Sequence, residues 1–184
     1  MGGAWLCVAS AMVRITLHRV CHPISRFVLL EHWERSVMSE ETAKVSILVD
    51  APPKQVWEAL VDPVAIKKYF MGTTVKTDWK VGSPISWSGE WKGKPFSDKG
   101  EILECDASKV LSYSHWSPLT GADDSPENYH VVTTTLHKTD RGTIVDLTQS
   151  NLAGGVSAAD RASRADYEKN WTTVLEGLKA TVEG

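Results

Sequence analysis

The sequence is poor in the features that mark disulfide-stabilised, membrane-spanning or nucleic-acid-coating proteins. It has three Cys in 184 residues and no Cys-x-x-Cys pair, so neither a disulfide framework nor a zinc ribbon is expected. No apolar run approaches the ~18 residues that a spanning helix needs. The 20 Lys and Arg residues stand against 23 Asp and Glu residues, which argues against the basic excess typical of nucleic-acid binding.

The motifs of the common enzyme classes are also missing. The chain contains no G-x-S-x-G, no phosphate-binding G-x-x-x-x-G-K-[ST], no dinucleotide-binding G-x-G-x-x-G and no zinc-binding H-E-x-x-H. We therefore expect no metal ion and no cofactor. We also expect a cytoplasmic protein whose partners are neither nucleic acid nor membrane, because no secretory signal pattern is recognisable.

The composition changes at Met38. Residues 1–37 hold four Arg, two Glu and no Lys, and clear strand and helix patterns begin only after Met38. Three interpretations stay open for this segment: an unstructured extension upstream of the true start, a targeting peptide, or a structural arm. We favour the first, with a folded domain at residues 38–184.

Beyond Met38 the hydrophobic pattern predicts an α+β domain. A strand with period two at residues 45–49 is followed by two short helices and about six further strands, most joined by hairpins. Apolar residues at steps of three and four then predict a helix of more than twenty residues at 156–182. Ser157 and Asp160 resemble a capping box at its start. Strands joined by hairpins and followed by a long helix imply an antiparallel sheet covered on one face.

Short motifs in a fixed order carry a family resemblance. They are APPKQVWEALVDP at 51–63, DWKVG at 78–82, GEILECD at 100–106, LSY at 111–113, GTIVDLTQS at 142–150, and Trp171 with Leu175 and Leu178. Over residues 43–182 the chain resembles the activator of Hsp90 ATPase branch of the SRPBCC (START/Bet v 1-like) superfamily. The resemblance implies a helix-grip fold, in which a curved antiparallel sheet wraps around a long C-terminal helix. Such folds often hold a hydrophobic small molecule between sheet and helix.

The candidate site is the inward face of this predicted sheet and helix. The chain has eight Trp, more than its three Phe and four Tyr together, and strand alternation turns several aromatics inward. The predicted lining consists of Tyr69, Trp87, Trp91, Leu111, Tyr113, His115, Val132, Thr134, Val145, Leu147, Gln149, Tyr167, Trp171 and Leu175. An apolar stripe alone would be ordinary core. The polar members favour a ligand site, because a buried polar group without a partner costs ~1–3 kcal/mol.

Three functions stay open at this point. The preferred one is binding of a hydrophobic small molecule, lipid-like or aromatic, without chemistry of its own. The second is a cavity enzyme of the polyketide cyclase or hydrolase kind, in which His115 and Tyr113 would act on the substrate. The third, implied by the family name, is stimulation of a chaperone ATPase, although a single domain lacks the extra N-terminal domain of the eukaryotic activators. A homodimer is also kept open.

Overall fold

The computed structural model describes residues 43–91 and 93–184, without the side chain of Trp91. The elements in chain order are β1 (Ala43–Val49), α1 (Pro53–Val61), α2 (Pro63–Tyr69), β2 (Thr74–Lys76), β3 (Pro84–Trp91), β4 (Lys94–Asp106), β5 (Val110–His115), β6 (His130–Thr139), β7 (Gly142–Asn151) and α3 (Ala158–Glu183). The predicted order of strand, two short helices, six strands and long helix is confirmed. The proposed extension at residues 1–37 lies outside the described residues, so the boundary at Met38 stays a prediction.

The seven strands form one curved antiparallel sheet in the order β1-β7-β6-β5-β4-β3-β2. Strand β4 has 13 residues; it pairs with β3 through its first half and with β5 through its second. Within the second half a register shift separates Ile102 from Glu104. A Cβ atom on Gly100 would collide with the carbonyl oxygen of Ser114. Glycine therefore allows β5 to approach β4 at the point where the sheet bends.

Helix α3 packs against the concave face of the sheet. At its start the Ser157 hydroxyl accepts a hydrogen bond from the Asp160 backbone N–H (3.1 Å), and the Asp160 carboxylate accepts one from the Ser157 N–H (3.2 Å). The predicted capping box is therefore confirmed. Leu175, Leu178 and Val182 are buried and join the hydrophobic core of the sheet. None of the three described helices is long and apolar enough to cross a bilayer.

Side chains of α3 also cover the free edge of β1, the terminal strand of the sheet. Three hydrogen bonds make this contact: Lys44 N–H to Glu168 Oε1 (3.3 Å), Asp50 N–H to Glu183 Oε1 (2.7 Å) and Lys179 Nζ to the Leu48 carbonyl oxygen (2.6 Å). Backbone groups at a sheet edge have no strand partner on one side. Here the helix supplies part of the missing hydrogen bonding.

The two short helices pack beside α3. Asp62 ends α1, and its carboxylate caps α2 by accepting hydrogen bonds from the backbone N–H groups of Val64 (3.1 Å) and Ala65 (3.2 Å). A Cβ atom on Gly177 of α3 would lie 2.9 Å from the carbonyl oxygen of Tyr69 at the end of α2. The absent side chain at Gly177 thus sets how closely α2 approaches α3.

Candidate functional site

A cavity of about 260 Å³ lies between the concave face of the sheet and the N-terminal half of α3. Its wall carries six aromatic rings, those of Phe70, Trp87, Phe96, Tyr113, Tyr167 and Trp171. The volume lies just under the ~300 Å³ at which typical ligand pockets begin. The cavity would therefore suit a small ligand better than a long-chain lipid.

The predicted lining residues divide between two levels of the fold. Trp87, Tyr113, His115, Gln149, Tyr167 and Trp171 line the 260 Å³ cavity. A second cavity of only about 40 Å³ lies deeper, and the remaining contributors to it are Tyr69, Leu111, Thr134, Leu147 and Leu175. The inner half of the predicted stripe is therefore close-packed core, and the outer half forms the accessible wall.

Two of the predicted residues, Val132 and Val145, line neither cavity. Val132 is 1% exposed and lies between Tyr113 and Gln149 in the sheet register, so its short side chain does not reach the cavity. Val145 is fully buried four residues before Gln149 on β7. Both are core residues and not lining residues. The side chain of Trp91 lies outside the described part of the chain, so its predicted place in the site stays a prediction.

The most polar part of the wall is a pair formed by His115 of β5 and Asp98 of β4. His115 Nε2 lies 2.9 Å from Asp98 Oδ2, and the imidazole packs edge-on against Trp87 at 5.3 Å between ring centroids. Within the described residues, Asp98 Oδ1 is buried without a hydrogen-bond partner. This oxygen is an unusual acceptor, because buried polar atoms are nearly always satisfied.

Asp98 was missed by the sequence reasoning, although a signal for it existed. In the β3–β4 hairpin Asp98 lies directly opposite Trp87. Residues directly opposite in an antiparallel pair point to the same face of the sheet. An inward Trp87 therefore implies an inward Asp98.

A second polar group lies where β6 meets the start of α3. His130 Nε2 is 2.8 Å from Asp160 Oδ1, and the His130 ring packs edge-on against Tyr167 at 5.7 Å. Burial opposes ionisation of Asp160, but hydrogen bonds from Ser157 and His130 outweigh it and lower the pKa of this carboxyl. Burial, together with the charge of Asp160, raises the pKa of Tyr167. Asp160 is thus ionised and Tyr167 neutral near pH 7.

The remaining polar groups of the predicted site are neutral. Trp171 Nε1 donates to Gln149 Oε1 at 2.6 Å, which ties α3 to β7 across the cavity wall. Burial raises the pKa of Tyr113, and burial followed by the proximity of Tyr113 raises that of Tyr69. Neither tyrosine hydroxyl makes a hydrogen bond to another described residue. Both stay protonated over the ordinary pH range and can donate a hydrogen bond.

The mouth of the cavity is formed by segments that lack a hydrophobic period in the sequence. Met71, which follows α2, and Leu119, in the loop between β5 and β6, line the cavity and are 48% and 46% exposed. The same loop is held to β4 by the ion pair of Lys99 with Asp124. Among the described residues no group of three or more His, Cys, Asp or Glu side chains could hold a metal ion.

A curved antiparallel sheet that grips a long C-terminal helix over an internal cavity defines the helix-grip class, the START/Bet v 1-like superfamily that the motifs indicated. The sequence model of the "Activator of Hsp90 ATPase homolog 1-like protein" family matches residues 50–183. The chain belongs to this family. Among curated protein sequences, none matches the chain significantly.

Several solved structures share the fold. The solution structure of ChR145 from Cytophaga hutchinsonii is 50% identical over 77% of this chain and 93% of its own, with a TM-score of 0.64. MLL2253 from Mesorhizobium loti is 26% identical over 77% of this chain and 96% of its own, with a TM-score of 0.61. The Aha1 dimer from Colwellia psychrerythraea is 21% identical over 77% and 96%, with a TM-score of 0.59, which shows the shared fold alone.

Proposed function

We propose that this protein binds a small, largely apolar molecule in the 260 Å³ cavity. The observation that carries the proposal is the composition of the wall: aromatic rings surround a few polar groups that converge on the same space. This is the composition of small-molecule sites in general. Membership of a family of ligand-binding helix-grip domains supports the same function.

An unpartnered buried oxygen supports binding over ordinary core packing. Among the described residues, Asp98 Oδ1 is a buried side-chain atom without a hydrogen-bond partner. An interior built only for stability would pair such a group or replace it with an apolar one, because it costs ~1–3 kcal/mol when unsatisfied. A bound molecule with a polar group at one end of an apolar body would offset part of this cost.

The proposal is tested by partly filling the cavity. Val174 of α3 is 5% exposed and lines the cavity, so Val174→Phe places a ring in the binding volume. Isothermal titration calorimetry with neutral probes (indole, 2-naphthylethanol and a sterol) should show saturable binding by the wild type. We expect Val174→Phe to weaken binding at least tenfold, whereas the exposed Thr173→Phe leaves it unchanged. Binding by none of the probes, or equal affinity in the two variants, would refute the proposal.

A second candidate function, catalysis in the same cavity, is favoured by one specific observation. Asp98 holds the His115 ring through Nε2 at 2.9 Å, and the Tyr113 hydroxyl, which burial keeps protonated, lies on the same wall. A carboxylate that orients a histidine is a recurring arrangement for general-base chemistry. If a substrate is found, His115→Gln should abolish turnover and leave binding within about threefold. An unchanged rate would remove His115 from the mechanism.

Chaperone stimulation, a homodimer and a cytoplasmic location stay predictions. The Colwellia structure is of an Aha1 dimer, but at 21% identity it carries only the fold to this chain. A chaperone ATPase assay and sedimentation of the purified protein would test the first two directly.

A further inference from the structure

The carboxylates on the cavity wall have no Lys or Arg beside them among the described lining residues. They are those of Glu90 and Asp98. The two histidines on the wall, His115 and His130, each contact a carboxylate, the second that of Asp160. In a concave site such charges favour ligands of the opposite sign.

The Asp98 carboxylate also has spare hydrogen-bonding capacity. Its Oδ1 is buried without a partner within residues 43–91 and 93–184, and a carboxylate oxygen is a hydrogen-bond acceptor. This part of the wall matches a ligand that brings N–H groups.

The aromatic rings complete this chemistry. A cation is attracted to the face of an aromatic ring within about 6 Å, most strongly to that of Trp, and the rings of Trp87 and Trp171 line the cavity together with four others. The apolar wall, the ring faces and the carboxylates of the cavity thus all favour one kind of ligand, a cation with an apolar body. Resting on the proposed function, we propose that the cavity selects aromatic or alicyclic amines in their ammonium form and discriminates against carboxylates, fatty acids included.

The test compares three probes with one skeleton: 2-(2-naphthyl)ethylamine, 2-(2-naphthyl)ethanol and 2-naphthylacetate, titrated calorimetrically at pH 7. We expect the amine to bind at least tenfold more tightly than the carboxylate. Asp98→Asn, which keeps the shape and removes the charge, should reduce that ratio to below threefold. Asp106→Asn removes the same charge from the same strand outside the cavity and should leave the ratio unchanged. Glu90→Gln is a second variant at an exposed position, in case Asp98→Asn fails to fold.

The outcomes separate this inference from the proposed function. If the alcohol binds and the carboxylate binds as tightly as the amine, the amine preference is refuted while ligand binding stands. An amine preference that survives both Asp98→Asn and Glu90→Gln also overturns it, because the charge would then come from elsewhere. If no probe binds, both proposals fail together.

Discussion

Thr143 of β7 allows a single hydrogen bond to be tested with little change of shape. Its side chain is fully buried, and Oγ1 donates to the carbonyl oxygen of Ala51 at 2.7 Å. Ala51 is 6% exposed, and no other described donor reaches this carbonyl. The bond ties β7 to the turn between β1 and α1, 92 residues earlier in the chain.

The expected cost of Thr143→Val follows from this geometry. Valine has nearly the same volume and suits a strand at least as well as threonine, so packing and propensity change little. The Ala51 carbonyl oxygen, however, is left buried without a donor. An unsatisfied buried acceptor costs about 1–3 kcal/mol, and we expect the free energy of unfolding to fall by about 2 kcal/mol.

Urea denaturation followed by far-UV circular dichroism measures this difference. Thr148→Val is the matched control, because Thr148 lies on the same strand, points to the other face and makes no side-chain hydrogen bond to a described residue. It should change stability by no more than about 0.5 kcal/mol. If the two variants unfold at the same urea concentration, the reasoning from the buried hydrogen bond is wrong.

Two further predictions concern α3. Gly177→Ala should raise helix propensity by about 1 kcal/mol, yet the new Cβ would lie 2.9 Å from the Tyr69 carbonyl oxygen; we expect a net loss of about 1–2 kcal/mol, and a higher melting temperature would contradict the close approach. The pKa of Glu168 is lowered chiefly by Arg164, and that of Glu183 chiefly by the backbone N–H of Asp50. A lowered folded-state pKa gives stability that is present above the unfolded pKa and lost as pH falls through the folded one. Between pH 5 and 3 the wild type should therefore lose more stability than a Glu168→Gln, Glu183→Gln double variant, and parallel urea-midpoint curves would refute the role of these carboxylates.

The helices and strands were predictable because an element that buries one face repeats its apolar residues at a regular interval in the sequence. Leu147 and Gln149 on β7 alternate with less buried residues as expected, whereas on β5 Ser112 and Ser114 are as buried as Leu111 and Tyr113. The long helix was recognisable from its apolar spacing and its Ser157 cap. Both features involve residues that lie close together in the sequence, so the sequence alone is enough to recognise them.

The parts of the site that escaped prediction depend on contacts between distant residues. Leu119 lies at the cavity mouth because its loop is held by the Trp116 indole, which donates to the Asp123 carbonyl oxygen (3.1 Å), and by the pair of Lys99 with Asp124. Such contacts leave no period. Val132 and Val145 were assigned to the wall because alternation gives the direction of a side chain but not the depth that it reaches.

The hydrogen bonds by which α3 covers the edge of β1 are sensitive to acid. In two of the three, a carboxylate of α3 accepts from a backbone N–H group, and a protonated carboxyl accepts such bonds more weakly. A strand edge without a partner can pair with the same edge of another molecule. We therefore expect acidified protein, or protein shortened at its C-terminus, to aggregate through pairing of β1 strands before the hydrophobic core unfolds.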